Sequence, residues 1–145
     1  MKVEFSAFPK AFGGNVAVFV GADKQLQATA RAIDGALGGA VMRAIEASRF
    51  TGAKSQTLTV LGQANYGRLT LLGVGKPREL DARSAEALGG LVVAEANAAG
   101  VKTVTVVVDP IKGNRVAPAE IAARIALGAQ LRSYRFDKYK TKEKP

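Results

Sequence analysis

Cysteine, histidine and tryptophan are all missing from the 145 residues. Without cysteine there is no disulfide, no thiolate nucleophile and no cysteine metal site; without histidine the commonest metal ligand and the usual neutral-pH proton shuttle are gone as well. A serine triad needs a base between nucleophile and acid, and Ser6, Ser48, Ser55, Ser84 and Ser133 have no conventional one. No G-x-S-x-G motif occurs. Lys54 and Ser55 are neighbours, but adjacent side chains seldom face each other, so the pair reads as a turn. Acids are scarce too, 12 against 21 Lys and Arg, and no ligand spacing links them. Long apolar runs are also lacking: none reaches the roughly 18 residues that would span a bilayer. The opening Met1-Lys2-Val3-Glu4 puts an acid where a signal peptide begins its apolar run. A cytoplasmic protein is expected, and the formal charge of +9 invites a nucleic-acid or anionic-surface partner.

What is present suits one domain. Hydrophobic residues make up 48% of the chain, and a domain of this length buries roughly 68–70% of its unfolded surface, enough for a core without staples. Asn15 to Val20 (NVAVFV) is a β-branched and aromatic run closed by Gly21, and Val3 and Phe5 alternate weakly before it, so two early strands are expected. From Leu26 the apolar residues Ala30, Ile33, Leu37, Val41 and Ile45 recur at helical intervals. Gly35, Gly38 and Gly39 interrupt them, predicting two helices or one kinked helix in which glycine serves close backbone packing. Thr57 to Leu61 and Arg68 to Leu72 read as an antiparallel hairpin joined by residues 63–67.

Asp81 is placed to cap a helix whose inward stripe is Ala85, Leu88, Val92, Ala96 and Ala99, with Gly100 as its C-terminal cap. Lys102 to Val108 (KTVTVVV) reads as a buried sheet strand stopped by Asp109-Pro110. A last helix starts near Pro118 and runs to about Leu131, with Ile121, Ala122, Ile125 and Ala129 on one face. Strands separated by helices imply an α/β fold: a three-layer α/β/α sandwich around a mixed sheet. The runs Ala36-Leu37-Gly38-Gly39 and Ala87-Leu88-Gly89-Gly90 look alike, but their surroundings do not align, so they read as two unrelated glycine-notched helices. The organisation expected is a domain over 1–131 and a basic linker over 132–145, in which Arg132, Arg135, Lys138, Lys140, Lys142 and Lys144 outnumber Asp137 and Glu143.

Three places could carry chemistry. Asp109 ends a strand, where α/β proteins place functional groups, although a turn residue before Pro110 is the simpler reading. Gly73-Val74-Gly75-Lys76 lies between a strand and a helix, where the amides of Gly73 and Gly75 and the amine of Lys76 could cradle phosphate. Pro77 stands where a phosphate loop would have its hydroxyl residue, so an ordinary strand-to-helix turn competes with this reading. Tyr134 to Lys140 interleaves rings with cations, a pattern that suits single-stranded nucleic acid as well as a linker packing on a neighbouring domain. The nucleic-acid contacts would be Arg132, Tyr134, Arg135, Lys138 and Lys140.

The segment Leu131 to Lys142, LRSYRFDKYKTK, resembles the junction that closes the amino-terminal domain of leucyl (cytosol) aminopeptidases. Phe50-Thr51-Gly52-Ala53-Lys54 resembles that family's phenylalanine-glycine-lysine segment before the hairpin, and Leu72 to Lys76 its strand-ending glycine pair. The resemblance implies a macro-domain-like α/β/α sandwich and a parent enzyme, a hexamer, that removes amino-terminal residues, leucine among them, with two divalent ions (zinc, manganese or magnesium). It places the metal ligands and catalytic residues in a carboxy-terminal domain, so none is assigned here, and this chain is expected to be non-catalytic, serving interdomain packing and assembly. A DNA-binding module is the alternative that the basic charge keeps open, and ADP-ribose or nucleotide binding at Gly73 to Lys76 is a third.

Overall fold

The computed structural model describes residue 5, residues 14–63 and residues 66–143. Of the two early strands, the one around Val3 and Phe5 lies outside the described residues except for Phe5, which is exposed. The other is β1, Gly14–Gly21, and its composition explains its place. Five consecutive buried residues, Val16 to Val20, alternate between two cores. Val16, Val18 and Val20 face one, and Ala17 and Phe19 the other. A strand that is apolar on both faces belongs in the middle of a sheet covered on both sides.

β4, Tyr66–Gly75, runs parallel to β1 and repeats the pattern, with Leu69 and Leu71 in the first core and Leu72 and Val74 in the second. β3, Thr57–Gln63, pairs antiparallel with β4 from Thr57↔Leu72 to Gln63↔Tyr66, so the predicted hairpin forms with strands longer than the sequence suggests. β2, Gln25–Leu26, turns back antiparallel on the end of β1; Leu26, read as the start of a helical stripe, is a buried strand residue instead. β5, Thr105–Val106, pairs parallel with Val16 and Ala17. The order is β2-β1-β4-β3, with β5 also on β1.

The expectation of a buried strand over Lys102 to Val108 is therefore corrected. Only two residues join the ladder, Thr105 is exposed, and the apolar run is used by Val107, which is buried, and by Val104, Val106 and Val108 packed partly against the second core.

α1 (Ala28–Ala36) and α2 (Ala40–Glu46) cover the first core, and α3 (Ala82–Ala99) and α4 (Pro118–Glu143) the second, which gives the three layers. Two helices indeed replace one between 28 and 46, but not for the expected reason. Gly38 (φ 63°) and Gly39 (φ 84°) adopt the left-handed backbone that ends one helix and begins the next, and a Cβ at Gly35 or Gly38 would meet nothing within 4 Å. Close packing occurs at the other pair of helices. A Cβ on Gly89 would fall on the Ile125 carbonyl oxygen, and one on Gly128 on the Glu86 carbonyl oxygen, so α3 and α4 cross backbone against backbone.

α3 begins and ends as its sequence suggests: the Asp81 carboxylate accepts from the Ser84 amide at 2.9 Å, and Gly100 closes the helix at φ 71°. Its inward stripe is shorter than expected, with Ala85 and Leu88 buried, Val92 partly so and Ala99 exposed. α4 continues through Glu143, where a linker was expected after Leu131; the apolar stripe stops there while the helix does not.

Candidate functional site

The turn after β4 shows what its glycines are for. The Gly73 amide donates to the Gln56 carbonyl (2.8 Å), the Gly75 amide to the Gly52 carbonyl (2.9 Å), and the Lys76 amide to Oε1 of Glu79 (2.9 Å). A Cβ on Gly73 would strike the Ala53 carbonyl, and one on Gly52 (φ 86°) the Gly21 carbonyl. The Phe50–Lys54 segment thus lies across the ends of β1 and β4, touching both through glycine. All three amides have intramolecular acceptors, the Lys76 amide finding its own in the Glu79 carboxylate. The signal for this was available in the spacing, since Lys76-Pro77-Arg78-Glu79 has the acid three residues after the cap that a capping box requires.

Gln56 went unread in the sequence and organises this loop. Its side-chain oxygen accepts from the amides of Thr51 (2.9 Å), Gly52 and Ala53 (both 3.2 Å) and from the Thr51 hydroxyl (3.1 Å). Successive amides converging on one oxygen form the concavity that other proteins offer to anions, filled here by a neutral amide from the same loop. A glutamine three to five residues past its partners carries no periodicity that would announce it. Ser55 sits in the left-handed region (φ 72°), which fits the turn expected of Lys54-Ser55.

Asp109 is 3% exposed and reaches across the fold. Its Oδ2 accepts from the Thr29 amide at 3.0 Å and its Oδ1 from the Thr29 hydroxyl at 2.8 Å. The residue before α1, Gln27, makes no side-chain cap, so Asp109 supplies the anion that the first turn of α1 requires from 80 residues away. Lying three residues past β5, this carboxylate serves to anchor α1.

The Ser84 amide, with a smaller pull from the charge of Lys54, holds the Asp81 carboxyl below the usual carboxylate value. Among the described residues no three acids converge as a metal site would require, and no helix is long and apolar enough to cross a membrane.

The basic stretch lies on α4, which carries Arg132, Tyr134, Arg135, Lys138 and Lys140 on one continuous helix. Arg132 is exposed; the side chains of the other four lie outside the described residues. Arg124, one turn before Gly128, is engaged by Glu86 at 3.3 Å and Glu120 at 3.9 Å. Beside this pairing an open groove of about 440 Å³ runs along α3, lined by Ala87, Gly90, Leu91 and Ala94 and bounded on the α4 side by Leu131. Leu131 is 50% exposed and Leu127, one turn earlier, 39%.

Comparison with known proteins places this architecture. The model of the cytosol aminopeptidase family, N-terminal domain, matches residues 16–143. A probable cytosol aminopeptidase of Caulobacter vibrioides is 41% identical over 148 residues, covering 99% of this chain and 29% of the relative. One from Methylobacterium radiotolerans is 39% identical over 135 residues, covering 91% and 26%. A solved tomato leucine aminopeptidase mutant shares the fold, with a TM-score of 0.70 and 21% identity over 90% of this chain and 27% of its own. The chain spans less than a third of the length of these relatives.

Proposed function

Because the chain belongs to the cytosol aminopeptidase family, as its amino-terminal domain, we propose that it is the non-catalytic portion of a peptidase that releases amino-terminal residues, leucine among them, from peptides. The observation that carries this is the match itself: it runs from residue 16 to residue 143, and more than two thirds of the Caulobacter relative lies outside it. The local geometry supports it. The groups with the strongest claim to chemistry are each engaged in holding the fold: the Gly73 to Lys76 amides by Gln56, Gly52 and Glu79, and Asp109 by Thr29.

In this reading two divalent ions, zinc, manganese or magnesium, belong to the catalytic domain of the same polypeptide. That domain activates water for attack on the peptide carbonyl, while the amino-terminal domain contributes packing surface within a cytoplasmic hexamer. The segment 132–145 is then the connection between the domains, and helical α4 makes it a stiff one. Leucine-p-nitroanilide hydrolysis with added Mn²⁺ or Zn²⁺ tests the reading. The 145-residue chain is expected to give no turnover above buffer and the full-length polypeptide to be active; robust turnover by the chain alone refutes it.

A further inference from the structure

Two surface loops meet at the end of the sheet where β4 stops and α3 and α4 begin: residues 76–81, between β4 and α3, and residues 110–117, ahead of α4. Asn114 clasps them together. Its side-chain amide donates to the carbonyls of Pro77 and Leu80, both at 2.7 Å, and its side-chain oxygen accepts from the Val116 amide at 2.9 Å. A Cβ on Gly113 would come within 3.3 Å of the Pro77 ring, so the loops lie against each other.

The clasp gathers charge of one sign. Lys76 and Arg78 flank Pro77, Lys112 and Arg115 flank Gly113 and Asn114, and all four are exposed. None of the four is paired with an acid among the described residues. The acids of the same loops are engaged inward: Oε1 of Glu79 accepts from the Lys76 amide, Oδ1 of Asp81 from the Ser84 amide, and buried Asp109, just ahead of the second loop, holds Thr29. Four long cations are thus left to solvent on a rim whose apolar parts are Pro77 and Pro110, exposed, and Ile111 and Val116, half-buried.

Composition narrows the partner. Neither loop contains an aromatic ring, so bases have nothing to stack on, and four cations fall short of the roughly 6–10 phosphate contacts of a strongly salt-dependent DNA binder. Prolines and half-buried aliphatics between the cations suit instead a peptide that carries carboxylates beside small apolar side chains. A second copy of this chain offers no such segment, since no two of its 12 acids are adjacent. Nor does the polypeptide continue from here: α4 starts beside this rim and carries the chain about 39 Å away over its 26 residues.

We propose that the rim formed by Lys76, Arg78, Lys112 and Arg115 docks an acidic segment of a separate protein, through charge-assisted hydrogen bonds from the two guanidinium groups and with the loops held in register by Asn114.

Fluorescence anisotropy of labelled hexaglutamate titrated with the 145-residue chain tests this. Binding is expected to weaken at least tenfold in Arg78→Glu/Arg115→Glu. Arg43→Glu/Lys102→Glu changes the net charge by the same amount outside both loops and should weaken binding less than threefold. Asn114→Ala leaves the charge alone and should weaken it at least threefold by freeing one loop from the other. Absence of binding at low salt overturns the proposal, and so does equal weakening by the two charge reversals, which would make net charge the whole cause. Labelled single-stranded DNA that binds the rim more tightly than hexaglutamate, and loses that binding in Arg78→Glu/Arg115→Glu, also overturns it by making the partner a nucleic acid. So does loss of hexaglutamate binding in the full-length polypeptide, which would make the occupant this chain's own continuation.

Discussion

Gly89 and Gly90 are neighbours in the middle of α3, and the same substitution is expected to have opposite signs at the two. Replacing an interior helical glycine by alanine gains about 0.8–1 kcal/mol of propensity wherever the methyl group has room. At Gly90 it has room, since the nearest atom would be Cβ of Arg132 at 3.9 Å, an ordinary van der Waals distance. Gly90→Ala should therefore stabilise by about 0.5–1 kcal/mol. At Gly89 the methyl group would fall on the Ile125 carbonyl oxygen, 2.7 Å from the Ala129 nitrogen and 2.9 Å from the Ile125 carbonyl carbon. These are backbone atoms of a packed helix and cannot rotate aside, so α3 and α4 must separate. Overpacking of this kind costs about 1–3 kcal/mol, and more where backbone must move. With the propensity gain subtracted, and the cost taken at the upper end because backbone atoms must move, Gly89→Ala should destabilise by about 2 kcal/mol. At about 2–4 °C per kcal/mol for a domain near this size, the two variants should melt several degrees apart, on opposite sides of the parent chain. Urea unfolding followed by far-UV circular dichroism measures both. If Gly89→Ala is as stable as Gly90→Ala, the helices do not cross backbone to backbone and the reasoning fails.

Two further predictions follow from the capping carboxylates. Asp109→Ala leaves the Thr29 amide without its acceptor in a buried setting and should cost about 1–3 kcal/mol. Asp109→Asn should cost less, because it keeps one carbonyl oxygen and the Thr29 hydroxyl can turn to accept from the new amide; equal losses in urea midpoint would count against the geometry. For Asp81 the folded-state value lies below the unfolded one, so its contribution is fully present above about pH 4 and is lost as pH falls through the lowered value. Asp81→Ala should lower the melting temperature at pH 7 and flatten the stability–pH curve below pH 4; an unchanged acid limb would refute the assignment.

The tetrapeptide Ala-Leu-Gly-Gly marks where the sequence was legible and where it was not. It occurs twice, at Ala36 to Gly39 and at Ala87 to Gly90. In the first, the glycines turn left-handed and divide two helices; in the second, both stay helical and Gly89 meets α4. Local preference permits either, and only the facing helix decides. β1, the hairpin and the Asp81 and Gly100 caps were readable because their signals are local: β-branched alternation, turn spacing and cap chemistry. β5 was overread because a run of valines reports burial and not pairing, and three of those residues pack partly against the second core while only two positions pair with β1. α4 was underread because its second half has no apolar stripe to announce it. Of the candidate site residues, Gly73, Gly75 and Lys76 announce their turn by glycine content, but Gln56, whose carbonyl accepts from the Gly73 amide, lies in a loop whose hydrogen bonds follow no period.

The bond between Asp109 and Thr29 also sets a clock. Ribosomes add roughly 5–20 residues per second, so the 80 residues separating the two take on the order of 4–16 s to make. For that interval α1 has emerged without the carboxylate that caps it and with no side-chain cap of its own. Its sequence is complete early and its anchorage arrives late, which makes the nascent amino-terminal half dependent on protein that has yet to be synthesised.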